Sequence, residues 1–423
     1  MTTETNQETP TQMNTAFLGL APFLRMSISG VDMAPMAQEM LVQAESGSAD
    51  PNLWMNLSTA VQCLGQRDLG LAFQGHALEM SRVYHYRATS RPARARVLML
   101  VAPGDLSDNM PLDCLLEHTD IDLVFYYLEP GTGSPFSEPV PDHDAVVVGI
   151  VESDANRALL ASLEQLLADW PKPVINAPGK IPATERGVAS ALLQNAPGLL
   201  IPPTFRLSRE ELQSIASGAS VLSELFEDCD FPIILRPVGS HGGHGLEKID
   251  GPEAVADYLT RVSDGVFFLS RFIDYSGADG MFRKIRVALI DGAPFACHMA
   301  VSSNWMIHYV NADMYTNADR RAEEASFMAD FEAFAERHRA ALRAIYERTG
   351  LDYVCIDCAE TPDGQLLIFE IDHAMVVHAM DPEDMFPYKQ VHMRKVRDAF
   401  RDYLFHRMSP ENARVSVSAT AMS

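Results

Sequence analysis

Apolar and polar positions change period along the chain. From about 16 to 90 the apolar residues recur at helical spacing. Asp50-Pro51 is a helix start, with Asp as N-cap and Pro in the first turn. It opens a helix over 51–64 that stops at Gly65, and a second helix is expected over 68–86. After Arg91-Pro92 the pattern becomes short apolar runs. ARVLMLV at 95–101, ending at Pro103-Gly104, reads as a buried parallel strand. Runs at 122–128, 145–150 and 173–176 read likewise, with a helix over 155–170. Strands alternating with helices predict an open α/β layer. Beyond 183 the spacing predicts helices at 184–193, 210–226 and 327–348, and strands at 204–207 and 231–236. Segments 265–273, 282–291 and 294–301 form an antiparallel set. Segments 351–360 and 365–372 form a hairpin through Pro362-Asp363-Gly364.

Composition narrows the function classes. Lys and Arg number 33 against 57 Asp and Glu, a formal charge of −24, which argues against coating nucleic acid or an anionic membrane. A local basic pocket remains compatible with that charge. No apolar run reaches the roughly 18 residues of a spanning helix. Six cysteines, with no targeting pattern at the start, do not read as a disulfide scaffold. The expected location is the cytoplasm. Residues 1–15 and 409–423, rich in Thr, Ser and Asn, are expected to be disordered tails.

Two segments carry chemistry. FPIILRPVGSHGGHGLEKID (231–250) runs from a strand ending in Arg236 into a loop with Gly239, Gly242, Gly243 and Gly245. Glycines let backbone N–H groups close on phosphate oxygens, and the strand-end cation holds another. No Gly-Lys-Ser/Thr follows, so it is not a Walker loop. In GLDYVCIDCAETPDGQLLIFEIDHAMVVH (350–378), Asp357 lies mid-strand, and Glu370 and Asp372 share one face of the paired strand. Three such carboxylates need a cation, and oxygen ligands suit Mg²⁺ on nucleotide phosphates. Cys355 and Cys358 point to opposite faces and read as buried small residues.

These motifs, taken in order, resemble the ATP-grasp enzymes of the glutathione synthetase and ribosomal-protein glutamate ligase type. The resemblance covers about 173–380: Asn176 to Pro178, Arg186 opening a helix, Pro202-Pro203-Thr204, Arg236-Pro237, the glycine loop, FFLSRFID (267–274), KIRVALIDG (284–292), then Asp357 and Glu370-x-Asp372. The helices at 51–86 resemble one tetratricopeptide unit, with Gly70 at their crossing. The implied organisation is an α/β fold in parts: a tetratricopeptide-like region at 16–91, a pre-ATP-grasp α/β domain at 92–182, and a two-lobed ATP-grasp domain at 183–408 hinged near 269–273.

The resemblance also implies roles. Arg186 and Arg236 would touch nucleotide phosphates, with Gly239, Ser240, His241, Gly242 and Gly243 covering them. Ser270, Arg271 and Phe272 would present the hinge to adenine. Arg286 would stabilise an acyl-phosphate, with Lys284 beside it and His298 or His308 near the acceptor amine. Asp357, Glu370 and Asp372 would hold Mg²⁺ as exposed ligands whose removal spares the fold. Five positions depart from the family: Arg for Lys at 186 and 236, Asp for Asn at 372, Arg271 for an acceptor, and Lys284 for Asp. The implied activity is an ATP- and Mg²⁺-dependent carboxylate–amine ligase acting on a small molecule or peptide. The competing readings are a phosphotransferase of the same fold and a non-catalytic interaction protein. The helical pair must bury its apolar face in a homodimer, a substrate dock or the core.

Overall fold

The computed structural model describes residues 15–131, 133–227, 229–240 and 242–409. Both expected tails therefore lie essentially outside the described residues, as does His241. The fold is mixed α/β with an N-terminal helical region.

Helices Ala21–Ile28, Ala34–Glu45, Pro51–Cys63 and Arg67–Met80 come first. Asp50 caps the third, accepting a hydrogen bond from the Asn52 N–H. A Cβ at Gly70 would sit 2.3 Å from Gln62 Cγ, so only glycine lets these last two helices approach so closely. The fourth helix ends at Met80, short of the expected 86. Val83–Tyr86, aromatic and β-branched, is instead strand β1. It pairs antiparallel with β3 (Ile121–Tyr127), which lies parallel to β2 (Ala95–Val101). β4 (Ala145–Val148) and β5 (Val174–Ile175) complete a sheet ordered β1-β3-β2-β4-β5.

The N-terminal helices share this sheet's core. Phe17 packs on Tyr84 and Phe125, and buried Asp113 accepts hydrogen bonds from the Leu20 and Ala21 N–H groups. Met55, Ala77 and Leu78 join the same apolar cluster.

Next come β6 (Leu199–Leu200), β7 (Thr204–Ser208), β8 (Ile233–Pro237), β9 (Glu247–Ile249) and β10 (Val266–Arg271). Four of them form a sheet ordered β7-β10-β8-β9. The helix expected over 210–226 is two, Arg209–Ala216 and Leu222–Leu225, interrupted at Gly218 with positive φ. β11 (Phe282–Ile290), β12 (Ala293–Ser302), β13 (Tyr353–Glu360) and β14 (Leu366–Asp372) form the third sheet, ordered β12-β11-β13-β14-β6. The helix expected over 327–348 is three pieces, Ala318–Ala329, Phe331–Arg337 and Arg339–Thr349. Cys358 and Cys355 belong to different apolar clusters, one on each face of this sheet. Helix Lys389–Met408 closes the chain, and its Arg401 forks onto Asp120 at 2.6 and 2.7 Å.

Candidate active site

The antiparallel pairing of β11, β13 and β14 places three charged positions in one row. Arg286 lies opposite Asp357, and Asp357 lies opposite Glu370. Directly opposed residues put their side chains on the same face. Arg286 takes Asp357 as a fork, Nε to Oδ1 at 2.7 Å and Nη2 to Oδ2 at 3.0 Å. Lys284, two residues earlier on the same face, reaches Asp357 Oδ2 at 2.8 Å. Arg186, the first residue of helix Arg186–Leu193, pairs with Glu370 and donates to the Phe369 carbonyl at 3.1 Å.

These pairs decide the charge states. Burial alone would raise the Asp357 carboxyl, but Arg286 and Lys284 outweigh it and hold it well below the usual range. Burial likewise works against ionised Glu370, and Arg186 and Arg236 hold its carboxyl down. Burial, then Arg186, lower the Arg236 guanidinium to about 10. Arg236 is thus a buried guanidinium facing both like-charged Arg186 and the Glu370 carboxylate, and an anion would offset its burial.

A cavity of about 340 Å³ opens between the four-stranded and the third sheet. Arg186, Arg236, Lys284, Arg286, Asp357 and Glu370 line it, with Gly242 and Gly243 of the glycine loop. Ser270, Arg271 and Phe272 line its other end. Arg236 Nη2 bonds the Ser240 carbonyl, so strand end and loop form one unit. Gly243 has φ +77°, and a Cβ there would meet His308 Nε2 at 2.3 Å. His308 Nε2 is itself buried without a hydrogen-bond partner and faces this cavity. Burial, then Lys284, lower the His308 pKa, which favours the neutral ring.

Several expected residues fall elsewhere. Gly239, Ser240 and Asp372 line a second cavity that abuts the first, and Asp372 accepts from the Ala374 N–H at 3.0 Å. Asp357 is 1% exposed, not an exposed ligand. Among the described residues no three His, Cys, Asp or Glu converge to hold a metal ion. The expected three-carboxylate set is thus reduced to Asp357 opposite Glu370. His298 lines neither cavity. It lies opposite Arg286 across the β11–β12 ladder, against the Tyr309 ring at 5.1 Å. Burial, then Arg286, push its pKa well down. A bulge between Arg286 and Val287 separates the neighbouring positions along that ladder.

The loop after β12, whose polar-aromatic run Ser302-Ser303-Asn304-Trp305 with Tyr309 and Asn311 marks it in sequence as a pocket lining, reaches the first cavity. Trp305, Met306, Ile307 and His308 close one wall of the first cavity, and Trp305 meets the Phe272 ring edge-on at 5.7 Å. A buried network holds this loop. Lys389 Nζ donates to Asp381 at 3.0 Å and to Tyr309 Oη at 2.6 Å, and Tyr309 and Tyr388 hydroxyls both donate to Glu324. Lys389 and Glu324 lie 90 residues or fewer from the loop in sequence, yet neither carries a motif.

No family model matches the chain, and no curated protein matches it. Solved structures do. A RimK domain ATP-grasp protein from Sphaerobacter thermophilus is 17% identical with a TM-score of 0.42, over 74% of this chain and 100% of that one. D-alanine–D-alanine ligase from Bacillus anthracis, complexed with ATP, is 12% identical with a TM-score of 0.41, over 72% and 98%. VanG D-Ala:D-Ser ligase from Enterococcus faecalis is 12% identical with a TM-score of 0.44, over 73% and 99%. Identities and scores are low, and the reading of the site rests on its own geometry.

Proposed function

We propose that the chain is an ATP- and Mg²⁺-dependent ligase that joins a carboxylate to an amine through an acyl-phosphate. One observation supports this above the rest: Arg186, Arg236, Lys284 and Arg286 meet two opposed carboxylates in one cavity beside a glycine loop. The sequence resemblance points the same way.

The chemistry explains the parts. A carboxylate oxygen attacks the γ-phosphorus of ATP, the bond to the β-phosphate oxygen breaks, and ADP leaves. The amine nitrogen then attacks the acyl carbon, the C–O bond to phosphate breaks, and hydrogen phosphate carries off the amine proton. Arg186 and Arg236 bind the nucleotide phosphates. Arg286 and Lys284, already desolvated and oriented on Asp357, face the charge that develops during transfer. Gly242 and Gly243 bring backbone close to the phosphates, and loop 302–311 helps exclude water that would hydrolyse the intermediate. Asp357 and Glu370, paired oxygen donors, would hold Mg²⁺, which offsets phosphate charge when bound. Segment 269–273 acts as the hinge that receives the adenine. In this reading 183–408 is the catalytic unit.

The test is the nucleotide product. Incubation with ATP, Mg²⁺ and a mixed pool of carboxylic acids and amines, followed by ³¹P NMR, is expected to give ADP and orthophosphate in equal amounts. AMP and pyrophosphate would overturn the acyl-phosphate route.

A further inference from the structure

The second cavity, of about 300 Å³, meets the first along Arg186 and Glu370 and extends under the residues that follow β4. Its charge is unbalanced: the lining holds six carboxylates and three guanidiniums. All three guanidiniums are committed within the lining: Arg186 pairs with Glu370. Arg206 forks onto Asp154, and Arg157 reaches Glu152 Oε1 at 2.8 Å and Asp154 at 3.2 Å.

Glu152 is the informative residue. Its side chain is 4% exposed, and its Oε2 has no hydrogen-bond partner. A buried carboxylate oxygen without a donor is costly and marks a place where a ligand supplies one. Negative charge spread along a cavity suits an extended organic cation.

We propose that this cavity takes the amine substrate and that the substrate is dibasic, a diamine or a basic amino acid. One amino group reacts beside Arg186 and Glu370, and the other stays an ammonium that donates to Glu152 Oε2. This rests on the ligase reading. The reacting nitrogen must be neutral to form the C–N bond, and its proton leaves with the departing phosphate as hydrogen phosphate. The distal ammonium takes no part in bond making. It fixes the reacting end against the acyl carbon, which is where orientation lowers the barrier. Glu152 is thus a specificity residue.

The experiment pairs calorimetry of 1,4-diaminobutane and 1-aminobutane with ADP release when each is supplied together with ATP, Mg²⁺ and a pool of carboxylic acids. The diamine is expected to bind at least about tenfold more tightly, the worth of one charge-assisted hydrogen bond. Glu152→Gln should remove that difference, and Glu152→Asp should keep part of it. Asp154→Asn, at a half-exposed position, provides a second variant should Glu152→Gln not fold, and it should weaken the diamine alone. Equal binding of the two amines, or an unchanged preference in the folded variants, overturns the proposal. Equal ADP release with both amines would leave the ligase reading standing and remove the dibasic one. Diamine binding lost in Glu152→Gln, with no ADP released in the presence of the acids, would leave an ammonium site at Glu152 but overturn both the ligase reading and the diamine's role as substrate.

Discussion

Gly243 and His308 show how one atom shapes the first cavity. The loop passes so close to the imidazole that a methyl group would collide with Nε2, and the positive φ adds strain for any other residue. Gly243→Ala should therefore weaken ATP binding by about tenfold or more, read by calorimetry, with the melting temperature nearly unchanged. Wild-type affinity would show that the loop does not approach the nucleotide. Arg286 has two duties. Its fork neutralises buried Asp357, and it lines the cavity. Arg286→Ala should lower kcat by about 10²-fold or more, in the range of a lost oxyanion donor. It should also destabilise the fold, as should Asp357→Ala, each by about 3–5 kcal/mol in urea unfolding, because each strands a buried charge. Arg286→Lys should restore stability better than rate, since Lys lacks the planar fork. Variants that unfold like the wild type would contradict the pairing. The motif letters made Asp357, Glu370, Arg286 and Arg236 legible as chemistry. They could not reveal that Asp357 is buried and already paired, because the partners come from a strand 71 residues away.

At the scale of elements, a carboxylate at the end of β13 ties the third sheet to its helices. Glu360 receives a fork from Arg337 at 3.0 and 3.1 Å and faces His338 Nε2 at 3.1 Å. The His338 hydrogen bond first, then Arg337 against some cost of burial, lower its pKa from 4.5 to about 2. A carboxyl depressed in the folded state stabilises fully above its unfolded pKa and loses that stabilisation as pH falls through the folded one. Stability should thus decline from about pH 4.5 toward pH 2, and Glu360→Gln should flatten that limb in urea titrations. An identical limb in the variant would place the acid sensitivity elsewhere. Elements were legible where period was regular, as in the helix Pro51–Cys63 and the strand Ala95–Val101. Val83–Tyr86 was not, because four residues after a helix carry too little alternation to separate strand from helix. The breaks at Asp330 and His338 leave apolar spacing intact and are invisible to it.

For the whole molecule, the N-terminal helices look separable in sequence because Arg91-Pro92 breaks the pattern. The shared core argues otherwise, since β1 and Phe17 cover β3. Deleting residues 1–90 should expose Leu123 and Phe125 and yield aggregated or unfolded protein, judged by gel filtration and circular dichroism. A soluble, cooperatively melting fragment would restore the view of an appended module. The acidic surface and the cationic cavity belong to one design in which positive charge is concentrated where phosphates would lie. The second cavity escaped the sequence because Arg206 lies 52 residues from Asp154 and joins Asp154 and nearby Glu152 only through packing. The most direct measurement of the central claim follows oxygen. A pool of ¹⁸O-labelled carboxylic acids is incubated with amines, ATP and Mg²⁺, and products are read by mass spectrometry. The account predicts an amide of mass acid plus amine less water, one ¹⁸O in the released phosphate, and one ADP per amide. Unlabelled phosphate, or ADP with no amide, would contradict it.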